Sequence, residues 1–324
     1  MKAILCEALG GPETLTLREI APPRARAGEV VIEVAAVALN FLDTLIIRGR
    51  YQTKPELPFS PGGELAGTVA EIGEGVTGLA PGDRVLAFPG FGGARERVAV
   101  RASRVHALPD GVAFEQAAGL LVAYGTAYHA LVHRGELKAG ETLVVLGASG
   151  GTGTAAVEIG KLLGARVIAC ASSEARLDHA RARGADMVID YSREDLKLRI
   201  RELTDGRGAD VVYDPVGGDL AEPAIRACAW KGRYLVIGFA GGEIPKIPLN
   251  LLLLKGCDLR GVYWSRFVDA EPAACAALVR QLLAWLAEGT LSVPVGARYA
   301  LAETPAAIAA LAAREIKGKA IVVP

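Results

Sequence analysis

The chain has 324 residues, a length that suits two domains of ordinary size. Its 36 basic residues balance 36 acidic ones, so no net charge marks it for nucleic acid or an anionic membrane surface. Apolar residues make up 51% of the chain, enough to bury a sizeable core and too many for a disordered segment.

The N-terminus, Met1–Glu7, places Glu7 where a secretory leader needs its apolar run. No stretch approaches the ~20 apolar residues of a membrane span. A cytoplasmic protein is expected. The five cysteines, Cys6, Cys170, Cys228, Cys257 and Cys275, are dispersed without Cys-x-x-Cys spacing and read as buried free thiols.

In chain order, the first part is rich in Val, Gly and Pro. Val30–Val34 and Ala66–Ile72 are strand-like, and Pro61-Gly62-Gly63, Pro81-Gly82-Asp83 and Pro89-Gly90 punctuate them as turns. Short strands with frequent turns predict a mainly β region. The texture changes near residue 120. Strands are predicted at Glu141–Leu146, Arg166–Ala171, Met187–Asp190, Val211–Asp214, Gly232–Ile237 and Leu259–Tyr263. Helices are predicted between them at Thr154–Leu163, Glu174–Arg183, Arg193–Thr204 and Leu220–Ala229. Strands apolar on both faces, alternating with helices, predict an α/β, doubly wound dinucleotide-binding domain. The tail carries helices at Ala273–Glu288 and Thr304–Arg314 and a strand at Lys319–Val323. It is too short for a domain and is expected to return to the β region. The expected divisions are 1–123, 124–265 and 266–324.

Glu141–Leu146 runs into Gly147-Ala148-Ser149-Gly150-Gly151-Thr152-Gly153 and then into a helix. Here a glycine motif carries chemistry. Gly150 lets backbone approach a pyrophosphate, Gly153 lets helix pack on strand, and the helix N-terminus offers unpaired N–H groups to phosphate. The second strand ends in Ala171-Ser172-Ser173-Glu174-Ala175-Arg176. A site for NAD places an acid at the strand end to hold the ribose hydroxyls. Here two hydroxyls and Arg176 suit a 2′-phosphate instead, so NADPH is the expected cofactor. Glu174, one residue beyond the turn, is the counter-argument.

These features and further landmarks resemble the quinone oxidoreductase branch of the zinc-free medium-chain dehydrogenases/reductases, the group that includes zeta-crystallin. The landmarks are Asn40-Phe41-Leu42-Asp43, Pro61–Gly67, Gly82-Asp83-Arg84-Val85, Gly125-Thr126-Ala127-Tyr128, Gly184-Ala185-Asp186, Asp190-Tyr191, Asp214–Gly218 and Gly318-Lys319. The resemblance spans essentially the whole chain and implies a GroES-like catalytic domain beside a Rossmann domain. It implies Asn40 near nicotinamide and substrate, Tyr51 lining the substrate cleft, and Thr126 beside the nicotinamide. Ser172, Arg176 and Tyr191 would hold the 2′-phosphate, with Arg314 reaching the same group. Gly217, Gly238 and Phe239 would line the cofactor cleft. The chain departs from the family at Leu45, where a tyrosine is common, and at Glu158, where a glutamine is usual.

Zinc enzymes of the superfamily carry Cys where this chain has Leu39-Asn40-Phe41 and a His-Glu pair where it has Gly63-Glu64. The three ligands of a catalytic zinc cannot be assembled. His129 and His133 share an i, i+4 helical face but lack the glutamate of a zinc hydrolase motif. The expected reaction is hydride transfer from NADPH to a quinone, with Tyr51, or else Tyr128 or Tyr263, as hydrogen-bond or proton donor. The rivals are reduction of an enone, alkenal or enoyl thioester, and a non-catalytic NADPH-binding structural or RNA-binding role. A homodimer is expected through the apolar edge strand Leu259–Tyr263.

Overall fold

The computed structural model describes residues 1–324. The chain divides into two compact units, Met1–Val122 with Ser265–Pro324, and Ala123–Trp264.

The first unit opens with β1 (Lys2–Cys6), β2 (Leu15–Glu19) and β3 (Glu29–Leu39). A one-and-a-half-turn helix, α1 (Phe41–Ile46), precedes β4 (Glu64–Ile72), β5 (Arg84–Ala87), β6 (Arg97–Arg101) and β7 (Val105–Ala107). Helices α2 (Phe114–Ala118) and α3 (Leu120–Tyr128) follow, and α3 carries the chain into the second unit. There β8 (Thr142–Leu146), β9 (Arg166–Ala171), β10 (Met187–Asp190), β11 (Ala209–Asp214), β12 (Cys228–Val236) and β13 (Asp258–Gly261) alternate with helices. Those helices are α4 (Gly151–Leu162), α5 (Glu174–Ala182), α6 (Leu196–Leu203), α7 (Ala221–Arg226) and α8 (Asn250–Lys255). The chain returns through α9 (Trp264–Ala270) to α10 (Pro272–Ala287), β14 (Val295–Ala300), α11 (Thr304–Ala312) and β15 (Lys319–Val323).

The second unit is a six-stranded sheet in the order β10-β9-β8-β11-β12-β13, parallel throughout. Chain direction across the sheet reverses between β8 and β11, the switch point at which doubly wound sheets bind ligands. Every residue of β8 is buried, as a strand covered by helices on both faces requires. The first unit holds a seven-stranded sheet, β14-β15-β3-β4-β5-β7, with β6 also paired to β3. Its core includes Ile32, Val37, Leu39, Leu65, Val85, Ile308 and Val322, so the C-terminal strand shares the N-terminal core. The cysteines are all buried and free.

Boundaries differ from the sequence reading where a short apolar run carries no period. The helix predicted to Ala229 ends at Arg226, and Cys228 already pairs with Ala209 on β11 before a bulge. The edge strand predicted at Leu259–Tyr263 is Asp258–Gly261, so it gains Asp258 and loses the apolar Val262 and Tyr263. Val262 and Trp264 beyond it are buried. The helical face predicted for His129 and His133 is a π-helical turn over His129–Arg134.

Candidate active site

The glycine turn connects the fully buried β8 to α4. Gly147 sits at φ +59°, and Gly150 ends the turn by donating its N–H to the Gly147 carbonyl at 3.0 Å. A Cβ on Gly153 would lie 2.2 Å from the Gly147 oxygen and 2.8 Å from the Ala148 Cα, so helix and turn pack backbone to backbone. A Cβ on Gly150 would meet nothing nearer than 3.5 Å. Gly150 is exposed and Ala148 buried, which leaves an open backbone cradle floored by the turn. The N–H groups of Gly151, Thr152 and Gly153 open α4 and have no carbonyl one turn earlier within the helix. That arrangement suits a pyrophosphate. Beneath it, the Thr154 hydroxyl donates to the Ala148 carbonyl at 3.3 Å and lies 3.1 Å from His179 Nε2. The fully buried Tyr213 ring of β11 lies beside Thr152, and burial pushes its phenol up.

At the end of β9, Arg176 Nη1 donates to the Ser172 hydroxyl at 2.9 Å. Tyr191, following the adjacent β10, donates its backbone N–H to the Ala171 carbonyl at 3.1 Å. Strand register therefore brings Ser172, Arg176 and Tyr191 to one corner of the sheet. Glu174 faces elsewhere: its carboxylate takes a 2.5 Å hydrogen bond from Arg181, two turns along α5.

Asp214 organises the mouth of the next two strands. Its Oδ1 accepts the N–H groups of Val216 and Gly217 at 2.7 and 2.9 Å, while Oδ2 accepts from the Tyr234 hydroxyl. Burial raises the Asp214 carboxyl, and these donors act against that rise. Gly217 sits at φ +67°, and a Cβ there would be 2.8 Å from the Phe239 ring. Gly217, Gly238 and Phe239 thus gather at the ends of β11 and β12. Asp214 and Tyr234 were not singled out in the sequence for this task; an acid ending a buried strand before Pro-x-Gly-Gly is the signal.

Thr126 and Tyr128 lie on α3, Thr126 buried and Tyr128 half-buried. The neighbouring Gly125 admits the Trp264 ring, which a Cβ would meet at 2.5 Å. Tyr124 donates to Glu158 Oε2 at 2.6 Å, and Arg183 donates to Glu158 Oε1 at 3.2 Å. His129 and His133 bring their Nδ1 atoms to 3.2 Å, and burial first, then His133 and Arg134, pull His129 down to about 4. No group of three or more His, Cys, Asp or Glu side chains is placed to hold a metal ion.

The first unit gathers charge around Asn40. Its backbone N–H donates to Asp43 Oδ2 at 2.8 Å, and Gly62 N–H donates to Asp43 Oδ1 at 2.8 Å, so Asp43 caps α1 and ties the Pro61–Gly63 turn to it. Burial lifts the Asp43 carboxyl to about 6; both N–H groups and Lys319 oppose the lift, and Glu64 adds to it. Asn40 Nδ2 donates to Glu64 Oε1 at 2.9 Å, and Lys319 Nζ donates to Asn40 Oδ1 and, at 2.8 Å, to Glu64 Oε1. Tyr51 is half-buried and packs on the first unit's core, and Leu45 is half-buried on α1. Arg314 is exposed, at φ +59° beyond the end of α11.

Residues 151–285 match the family described as zinc-binding dehydrogenase, and residues 26–110 match the alcohol dehydrogenase GroES-like domain. The chain is 37% identical over 324 residues to quinone oxidoreductase-like protein 2 homolog of Nematostella vectensis, covering 99% of this chain and 88% of that protein. It is 36% identical over 330 residues to quinone oxidoreductase of Pseudomonas aeruginosa, covering 100% and 99%. The crystal structure of Escherichia coli quinone oxidoreductase complexed with NADPH superposes with a TM-score of 0.94 at 29% identity, covering both chains fully.

Proposed function

Since the chain belongs to the quinone oxidoreductase group of the medium-chain dehydrogenase/reductase superfamily, we propose that this oxidoreductase uses NADPH to reduce a quinone without zinc. The observation that carries the cofactor choice is the corner made by Ser172, Arg176 and Tyr191, with Glu174 turned to Arg181. A guanidinium and a hydroxyl suit a 2′-phosphate, whereas the ribose hydroxyls of NAD call for an acid there. The solved Escherichia coli relative holds NADPH.

NADPH supplies a hydride, and the chain's residues position the reactants and exclude water. Within the second unit, Gly150–Gly153 and the start of α4 would hold the pyrophosphate, with Thr126, Gly217, Gly238 and Phe239 along the rest of the cofactor; the family resemblance assigns Asn40, in the first unit, to the nicotinamide. The same resemblance assigns Arg314, exposed in the first unit, to the 2′-phosphate. Tyr51 donates a hydrogen bond to the oxyanion that develops on the acceptor, with Tyr128 the second candidate. Zinc independence is supported by the donor set. Asn40 stands in place of a soft ligand, and the Lys319 ammonium contacts both Asn40 and Glu64, where it opposes a dication.

A second reading, reduction of an α,β-unsaturated carbonyl, is favoured by Leu45, an apolar side chain where the family commonly has a tyrosine. Steady-state assays with NADPH against quinones, enones and enoyl thioesters, before and after chelation, test these readings. Quinone turnover unchanged by chelator is the expected result. Enone turnover alone would favour the second reading, and NADPH binding without turnover would favour a non-catalytic role.

Assembly as a homodimer completes the proposal. Strand β13 lies at the sheet edge. Near it in the chain, Leu249, Leu253 and Leu254 of the α8 segment are 75%, 81% and 71% exposed, and Trp230 is 71% exposed. An unpaired edge beside large exposed apolar side chains suits a second copy of the chain.

A further inference from the structure

We propose that Lys319 is a positioning residue that, together with Glu64, fixes which end of the Asn40 carboxamide faces a ligand. This rests on the reading of Asn40 as a residue beside the nicotinamide. The placement follows from three adjacent strands. In the antiparallel pair of β15 and β3, Ala320 lies opposite Leu39, so Lys319 comes level with Asn40. In the pair of β3 and β4, Ala38 lies opposite Glu64. The C-terminal strand therefore delivers a cation, and β4 an anion, to the two sides of one amide.

The two ends of an asparagine side chain are nearly the same size, and only hydrogen-bond partners distinguish them. Lys319 Nζ carries donors only and contacts Asn40 Oδ1. Glu64 Oε1 accepts from Asn40 Nδ2 at 2.9 Å and from Lys319 Nζ at 2.8 Å. Reversing the amide would set its NH2 against an ammonium and its oxygen against a carboxylate. Oδ1 is thereby committed to Lys319. Nδ2 has two N–H groups, of which one goes to Glu64 and the other makes only a long, 3.4 Å contact with the Ala38 carbonyl. What Asn40 offers a ligand is a donor N–H, suited to a carbonyl oxygen.

The pair is costly for a merely structural role. The Lys319 and Glu64 side chains are 3% and 0% exposed. Two ions so buried lose their hydration, and an apolar pair of similar volume commonly serves stability as well. Lys319 has no slack either: a Cβ on Gly119 would lie 2.9 Å from its Cγ, so its stem is clamped. The other Glu64 oxygen accepts the Val122 N–H in the first turn of α3 at 2.7 Å, which fixes the carboxylate in turn.

The test compares Asn40→Ala, Lys319→Met, Glu64→Gln and the double variant Glu64→Gln/Lys319→Met in the full chain. Melting temperature, NADPH dissociation constant, and kcat and KM with NADPH and 1,4-benzoquinone are measured for each. Lys319→Met alone leaves Glu64 buried without its cation and is expected to melt early. The double variant removes both charges and retains a side-chain carbonyl at position 64 for Asn40, so its melting temperature is expected to recover. Its kcat is expected to stay roughly 10- to 100-fold low, the scale of a misplaced contact group, with quinone KM little changed. Recovery of kcat along with melting temperature would show that Lys319 only balances Glu64, and would overturn the proposal. Wild-type kcat in Asn40→Ala would instead remove the reading of Asn40 on which the proposal stands, and overturn both.

Discussion

At the scale of single residues, a buried carboxylate gives a pH signature. Burial raises Asp43 to about 6, above its value in an unfolded chain. Its stabilising contribution is therefore complete below the unfolded pKa and is lost as pH rises through about 6. Asp43→Asn abolishes that titration and sets an NH2 against a backbone N–H. The variant's loss of stability is expected to be larger at pH 4.5 than at pH 7.5, by about 2 kcal/mol. Urea denaturation of both proteins at the two pH values measures this; an equal loss at both would remove Asp43 as the titrating group. Some residues of this kind were legible in the sequence and others only as landmarks. Arg176 and Ser172 could be read because they follow the end of the second strand of the dinucleotide domain, where the cofactor's ribose is held. Lys319 and Glu64 lie 255 positions apart, and no local pattern reveals that a C-terminal lysine meets a buried glutamate.

At the scale of elements, the glycine turn separates packing from binding. Gly153→Ala drives a Cβ into backbone at 2.2 Å, where no side chain can move aside. We expect a loss of about 1–3 kcal/mol or more and a lower melting temperature. Gly150→Ala meets nothing within 3.4 Å. It is expected to fold with a wild-type melting temperature while NADPH binds at least tenfold more weakly, as read by fluorescence titration. Equal effects of the two variants would contradict this division. The turn was readable because a fully apolar strand precedes it and a helix follows. Helices α1 and α8 were not, since six residues are too few to show a helical period. The π-helical turn at His129–Arg134 has an ordinary helical sequence pattern, and only its backbone hydrogen bonding distinguishes it. Glu158, a departure from the family at the sequence level, is accounted for by its two donors, Tyr124 and Arg183.

At the scale of the whole molecule, alternating apolar strands and helices announced the parallel sheet, and turn-rich Val segments announced the β region. The tail could be attached only by elimination, because pairing of β15 with β3 joins the chain's last residues to positions near 40. Association is a separate prediction. Light scattering at micromolar concentration is expected to show a dimer, and Leu253→Glu/Leu254→Glu is expected to shift it to a monomer by burying two carboxylates at the interface. A wild-type monomer would dismiss the edge as an interface. Cofactor choice is where the turn, the corner at Ser172 and the family converge. Its most direct test is the ratio of kcat/KM for NADPH over NADH, with 1,4-benzoquinone as acceptor, in the wild type and in Arg176→Ala. The expected result is a strong NADPH preference that falls at least tenfold in the variant, about 1.4 kcal/mol or more, while kcat/KM for NADH is little changed. A wild-type protein that favours NADH, or a ratio indifferent to Arg176, would contradict it.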